Sequence, residues 1–290
     1  MNLSDIKKGP LKDVFDALEE AFVKNNTDFY LIGAQARDQW YAKDNLVARQ
    51  TNDVDFAAFV SDVTDYQKLR EYLKEHFGYK ETKQNQFILL APSGLQVDIL
   101  PFGDLEIDDA INFKGEGLTS IKVNGFREIY ENGTEEFTTD TGHTFEVASL
   151  PSIVLLKLIA FDDRPEKRVK DAIDVDNIVN YYFDLQSDNI YANHNELFLN
   201  EDLVNETTEL SEISALVIGR EINKIINGNL TLLDRVKMIL QTHIEQAVSS
   251  LFIRSMINGD DTVAGKVKLL KNMLIGLTQQ TERPPIRQVN

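Results

Sequence analysis

An apolar run ending in Tyr30-Leu31-Ile32 breaks at Gly33-Ala34, and Asp53-Val54-Asp55-Phe56 then opens a second apolar run. Phe29 to Ile32 reads as a buried strand, Gly33 lets the backbone turn sharply or approach a ligand closely, and Ala34 to Lys43 has helical character. A strand that feeds a helix through such a turn leaves the first N–H groups of the helix able to receive phosphate. Residues two apart on a strand share a face, so Asp53 and Asp55 present two carboxylates side by side. Two such charges repel by roughly a few kcal/mol in a partly buried setting, and a bound cation removes that repulsion.

A third acid, Asp98, interrupts the otherwise apolar strand Leu95-Gln96-Val97-Asp98-Ile99-Leu100. An acid in such a run is costly unless it is paired, ligated or at the sheet rim. Hard oxygen donors favour Mg²⁺ or Mn²⁺, and Mg²⁺ commonly takes one or two protein carboxylates with water and substrate phosphates filling its shell. Three carboxylates on neighbouring strands beside a glycine turn point to two-metal phosphoryl or nucleotidyl transfer. No Walker-type Gly-x-x-x-x-Gly-Lys-Ser/Thr run occurs, which disfavours a P-loop NTPase. His76, His143, His194 and His243 are scattered without metal-ligand spacing, and with no cysteine in the chain zinc chemistry and thiolate nucleophiles drop out.

The pattern of elements predicts an α+β fold. Helices are expected over Leu11–Phe22 and Tyr66–Phe77, with strands at Phe87–Ala91 and Leu95–Leu100 joined by the turn Pro92-Ser93-Gly94. Further strands are expected at Ser120–Val123, Arg127–Tyr130 and Thr144–Val147, giving a mixed sheet with flanking helices. From Pro151 the periodicity becomes helical: Ser152–Phe161, Glu166–Tyr182, Ser211–Ile226, Thr231–Ile253 with a break, and Val263–Leu277. The expected domains are therefore 1–150, α+β, and 151–290, mainly helical. Thr281–Asn290, with Pro284-Pro285, is expected to be extended or mobile.

Lys157 sits among Ile153, Val154, Leu155, Leu156, Leu158 and Ile159, so its ammonium must snorkel out or meet an anion. Asp171 and Asp174 lie three apart and Lys170 four residues before Asp174, the spacing of helix-surface ion pairs. Arg37 is either a phosphate ligand one turn into its helix or a salt-bridge partner near Asp38. Ser149 before Leu150-Pro151 reads as a helix N-cap, because no Gly-x-Ser-x-Gly elbow surrounds it.

The formal net charge of -17 argues against a protein whose whole surface binds nucleic acid. Screening over about 8 Å at physiological salt makes local charge more relevant, and Arg164, Lys167, Arg168 and Lys170 form a local basic cluster. The opening Met-Asn-Leu-Ser-Asp-Ile-Lys-Lys lacks a signal-peptide core and no run approaches a membrane span, so a cytoplasmic location without membrane contact is expected.

The glycine turn, the Asp-x-Asp strand and the third Asp resemble the nucleotidyltransferase superfamily, and more narrowly the AbiEii group, several members of which are toxins of bacterial toxin–antitoxin and phage-exclusion systems. Val147-Ala148-Ser149-Leu150-Pro151, Leu156-Lys157-Leu158, Arg164, Lys170-Asp171 and Asp174 resemble that group's later lysine and aspartate motifs. The similarity spans about residues 27–180. Ala34 departs from it, since the superfamily usually has Ser or Gly there; a side-chain hydroxyl is lost while the backbone donors remain.

The resemblance implies that Asp53, Asp55 and Asp98 hold Mg²⁺ or Mn²⁺ and that Gly33, Ala34, Arg37, Thr51 and Lys157 bind the NTP. Lys157 and Asp171 join the three acids as catalytic residues, contributed by the helical domain. The implied reaction moves a nucleoside monophosphate to an acceptor hydroxyl on tRNA or a protein, with an antitoxin as a further partner. Two alternatives remain open at this point: transfer to a small aminoglycoside-like molecule, which an acidic surface would suit, and a non-catalytic nucleotide-binding or interaction protein.

Overall fold

The computed structural model describes residues 10–43, 46, 53–105, 110–113, 120–138 and 144–279. By backbone contacts the chain divides into two units, 1–156 and 157–290.

In the first unit, helix α1 (Pro10–Lys24) buries Leu11, Val14, Phe15, Leu18 and Phe22, the residues whose spacing defines its apolar stripe. Strand β1 (Asp28–Ile32) runs directly into α2 (Gly33–Ala42), and β2 (Asp53–Val60) is followed by α3 (Val63–Phe77). The short β3 (Lys80–Glu81) precedes β4 (Ile88–Leu90) and β5 (Gln96–Gly103), which form the expected antiparallel hairpin. Next come β6 (Ala110–Asn112) and β7 (Ser120–Lys122), which among the described residues pair only with each other, then α4 (Phe126–Asn132), β8 (Thr134–Thr138), β9 (Thr144–Ala148) and α5 (Leu150–Asp163), whose residues from Lys157 onward belong to the second unit. Among the described residues, seven strands make one mixed sheet in the order β3-β4-β5-β2-β1-β9-β8, with β2 parallel to β5, antiparallel to β1, and β1 parallel to β9.

The two faces of β2 go to different uses. Phe56 meets Phe15 of α1 edge-on at 5.8 Å between ring centroids, and Phe22 stacks on Phe29 at 4.0 Å, so α1 covers the Val54/Phe56 face. Tyr66 of α3 donates to Ile99 O at 2.7 Å on β5, and burial pushes its phenol up to about 12. On the opposite face, Phe59 packs edge-on against Phe102 and stacks on Tyr130, while Tyr30 donates to Phe126 O at 2.9 Å. That face is thus filled by rings at the Phe59 end of β2, and its other end carries Asp53 and Asp55.

Arg127–Tyr130 is not a strand but the body of α4. Phe126, Ile129 and Tyr130 fall at i, i+3 and i+4, and that helical period outweighs the β-branched and aromatic content that suggested a strand. The edge strand β8 escapes a pattern search because its Thr-Glu-Glu-Phe-Thr run is half exposed and lacks strict alternation. Ser149 caps α5 as expected: its Oγ accepts from the Ser152 N–H at 3.3 Å, and Ser152 Oγ donates to Gly133 O at 2.6 Å.

The second unit is helical: α6 (Val169–Asn193), α7 (Leu210–Ile226), α8 (Leu230–Gln246), α9 (Leu251–Met256) and α10 (Val263–Thr278). Helix α6 runs past Tyr182 to Asn193 through a kink at Gln186, and the segment expected to be helical from Glu166 begins as a 3₁₀ turn, Pro165–Lys167. The break expected within Thr231–Ile253 falls at Ala247, whose φ of 44° starts a 3₁₀ turn, and Ser250 caps α9 by accepting from Ile253 N–H at 3.2 Å. Among the described residues, no helix is long and apolar enough to cross a membrane.

His243 stacks on Phe252 with ring centroids 4.8 Å apart, and its Nδ1 lies 3.1 Å from Ser250 Oγ. Burial lowers its pKa below the ordinary histidine value, against a weaker opposing pull from Asp162. The unfolded chain then takes the proton first as pH falls, so this contribution to stability is full above about pH 6.5 and is lost below it. His243→Phe is expected to flatten the fall of melting temperature between about pH 7 and 5; an unchanged slope would remove His243 as its source.

Candidate active site

Glycine at 33 is required twice over. Its φ is +69°, a conformation costing other residues about 1–2 kcal/mol. A Cβ added there would lie 3.0 Å from Asp55 Cγ and closer still to Oδ2. The absent side chain therefore lets the Asp55 carboxylate pack against the strand-to-helix turn. Ile32, in register with Asp55 across the antiparallel β1–β2 pair, precedes that turn. Ala34 follows it, half exposed, at the start of α2, whose first N–H groups have no side-chain cap on Ile32. A helix start of this kind offers backbone donors and a partial positive charge to a phosphate.

The parallel register places Asp55 beside Asp98 and Asp53 beside Gln96. All four are half exposed, on the sheet face that α1 leaves uncovered. Gln96 Nε2 donates to Asp98 Oδ1 at 2.8 Å. The donor set is all oxygen, which fits a hard cation such as Mg²⁺ or Mn²⁺. Among the described residues no three His, Asp or Glu side chains converge to enclose a metal ion. The acids make an open seat, the kind Mg²⁺ occupies when substrate phosphates and water complete its shell.

The remaining candidate residues fall in three places. Arg37 is 2% exposed and gives both Nε (3.0 Å) and Nη2 (2.7 Å) to Asp38 Oδ1 in α2. Thr51 lies outside the described residues, as does His143. Lys157, Asp171 and Asp174 belong to the second unit: Lys157 Nζ donates to Asp171 Oδ1 at 3.0 Å and to Asp174 Oδ2 at 2.7 Å. So Lys157 meets anions, and Asp171 and Asp174 are buried partners of Lys157 instead of surface partners of Lys170. Arg168 Nη1 stands 3.6 Å from Asp171 Oδ2. Lys167, Arg168 and Lys170 are exposed.

One site-facing residue escaped the sequence reading. Gln96 stood there only as a strand position, yet its two-residue spacing from Asp98 was the available signal that the two side chains share a face.

A family model matches residues 16–250, most of the chain, and the protein is a nucleotidyltransferase. It belongs to the AbiEii family, described as nucleotidyl transferase toxins of type IV toxin–antitoxin systems. Among solved structures, the solution structure of the antibiotic-resistance factor ANT(2″)-Ia is similar with a TM-score of 0.34 at 14% identity, over 53% of this chain and 74% of that one. The crystal structure of ANT(2″)-Ia in complex with adenylyl-2″-tobramycin gives a TM-score of 0.33 at 14% identity, over 52% and 76%. No match was found among curated proteins.

Proposed function

We propose that this chain is a divalent-cation-dependent nucleotidyltransferase that moves a nucleoside monophosphate from an NTP to a hydroxyl of an RNA acceptor, with tRNA the leading case, as the toxin of a toxin–antitoxin pair. The observation that carries the reading is the contact of Gly33 with Asp55, beside Asp98, which joins a phosphate-binding turn to a carboxylate pair. In this reading Asp53, Asp55 and Asp98 hold the cation, and the Gly33 and Ala34 N–H groups take phosphate oxygens of the NTP. When bound, Mg²⁺ would neutralise charge on the phosphates and lower the pKa of the attacking hydroxyl. The acceptor oxygen forms a bond to the α-phosphorus, the α–β bridging P–O bond breaks, and pyrophosphate leaves. Asp98 accepts the hydroxyl proton as attack proceeds.

Lys157 and Asp171 enter on the family resemblance, with their burial as an ion pair in support; Arg37 and Thr51 enter on the same resemblance as residues that bind the NTP. The exposed Lys167, Arg168 and Lys170 support a polyanionic acceptor, because local charge governs contact at physiological salt. An antitoxin partner and a cytoplasmic site of action follow from the family assignment as parts of the same proposal. A second reading, transfer to a small cationic acceptor, is favoured by the net charge of -17.

The test is incubation of purified protein with each α-³²P-labelled NTP and Mg²⁺, together with total tRNA, cell protein, an aminoglycoside or no acceptor. Label is expected to move to tRNA and to stay in the NTP with Asp53→Asn. Label on the aminoglycoside would favour the second reading, and NTP binding without transfer to any acceptor would leave a non-catalytic protein.

A further inference from the structure

Asp98 can serve as proposed only if its carboxylate holds one orientation, and the final torsion of an aspartate is broad and two-fold. Gln96, two residues earlier on β5, is half exposed beside it and donates its amide Nε2–H to Asp98 Oδ1 at 2.8 Å. An ionised carboxylate only accepts, so the contact fixes which end of the amide faces Asp98. On the other side of β5, the register partners of Gln96 and Asp98 on β4 are Leu90 and Ile88, side chains with no polar group to offer. On the β2 side Gln96 stands beside Asp53. A neutral donor thus sits between two of the three acids, where a fourth acid would add repulsion and an apolar residue would leave Oδ1 without this bond.

We propose that Gln96 is a positioning residue that sets the orientation of Asp98 toward the cation and the acceptor hydroxyl; this rests on the proposed function. Removing a hydrogen-bond partner of a metal-binding group typically costs 10–100-fold in affinity or rate.

The test uses the full chain with Mn²⁺ as probe, free Mn²⁺ being read by electron paramagnetic resonance, alongside kcat and KM for the NTP. Gln96→Leu is expected to weaken Mn²⁺ binding about tenfold and to lower kcat about tenfold, with KM for the NTP within about twofold of the parent. Gln96→Glu, nearly isosteric but with no N–H to give, is expected to lose kcat similarly despite its added negative charge. It also carries the measurement if Gln96→Leu does not fold. Mn²⁺ affinity and kcat both within about twofold of the parent in these variants would overturn the inference. If the parent binds Mn²⁺ and loses it in Asp53→Asn but not in Gln96→Leu, the inference alone fails. A parent that binds no Mn²⁺ overturns the proposed function and the inference together.

Discussion

Gly33→Ala is expected to lower kcat for nucleotidyl transfer by at least about a hundredfold while the protein stays folded. A single methyl group there meets the Asp55 carboxyl group, with Cγ 3.0 Å and Cβ 3.2 Å from the new carbon and Oδ2 nearer. Either the carboxylate rotates away or the turn opens, and each displaces groups of the proposed site by about an ångström. A misplacement of that size costs about a hundredfold in an enzyme that works by positioning. The positive φ adds about 1–2 kcal/mol of strain to the native state, which is a few degrees of melting temperature for a unit of this size. Gly33→Val, with two further methyl groups, is expected to abolish transfer. Steady-state rates with melting curves as the folding control decide the matter, and a Gly33→Ala variant at parental kcat would separate Gly33 from the chemistry.

The largest effect on stability is expected in the helical unit, at the crossing of α7 and α10. A Cβ at Gly276 would lie 2.9 Å from Leu216 C and 3.0 Å from Arg220 N, and one at Gly219 would lie 2.8 Å from Leu277 N. These neighbours are backbone, so no side-chain rotation relieves the overlap and the two helices must separate. Separation loosens the packing of both helices, on which Ile218, Ile222, Leu270, Met273 and Leu277 are all buried. Overpacking into side chains costs typically 1–3 kcal/mol, and a backbone clash that parts two helices exceeds that. Gly276→Val is therefore expected to destabilise by more than about 3 kcal/mol and Gly219→Val comparably. Denaturant titration followed by circular dichroism reads this directly; a midpoint shift worth less than about 1 kcal/mol for either variant would mean the helices do not cross so closely.

Much of the fold was legible because its signals are local. The strand–glycine–helix step at Ile32-Gly33-Ala34, the β4–β5 hairpin around Pro92-Ser93-Gly94, and the helical period after Pro151 each depend on a short stretch of chain. So did the shared face of Asp53 and Asp55, which follows from the two-residue period of a strand. What escaped depends on partners distant in sequence or on competing periods. Phe126, Ile129 and Tyr130 carry a helical spacing inside residues that favour strands. The closeness of Gly219 and Gly276 exists only once α7 and α10 pack. The β2–β5 register that sets Asp55 beside Asp98 comes from pairing across about forty residues of chain, which periodicity does not reveal. Lys157 announced a need for an anion, but its choice of Asp171 and Asp174 over solvent is a pairing across 14 and 17 residues of chain, which a local pattern does not show.

The central claim is that Asp53 and Asp55 serve a cation-dependent transfer from NTP. The most direct measurement is a single-turnover assay with α-³²P-labelled NTP, tRNA and Mg²⁺, comparing the parent protein with Asp53→Asn and Asp55→Asn and monitoring pyrophosphate release. The account predicts label on tRNA and stoichiometric pyrophosphate for the parent, dependence on Mg²⁺, and loss of both products in each variant at unchanged melting temperature. Transfer at the parental rate by either folded variant, or by the parent with all divalent cations chelated, would contradict it.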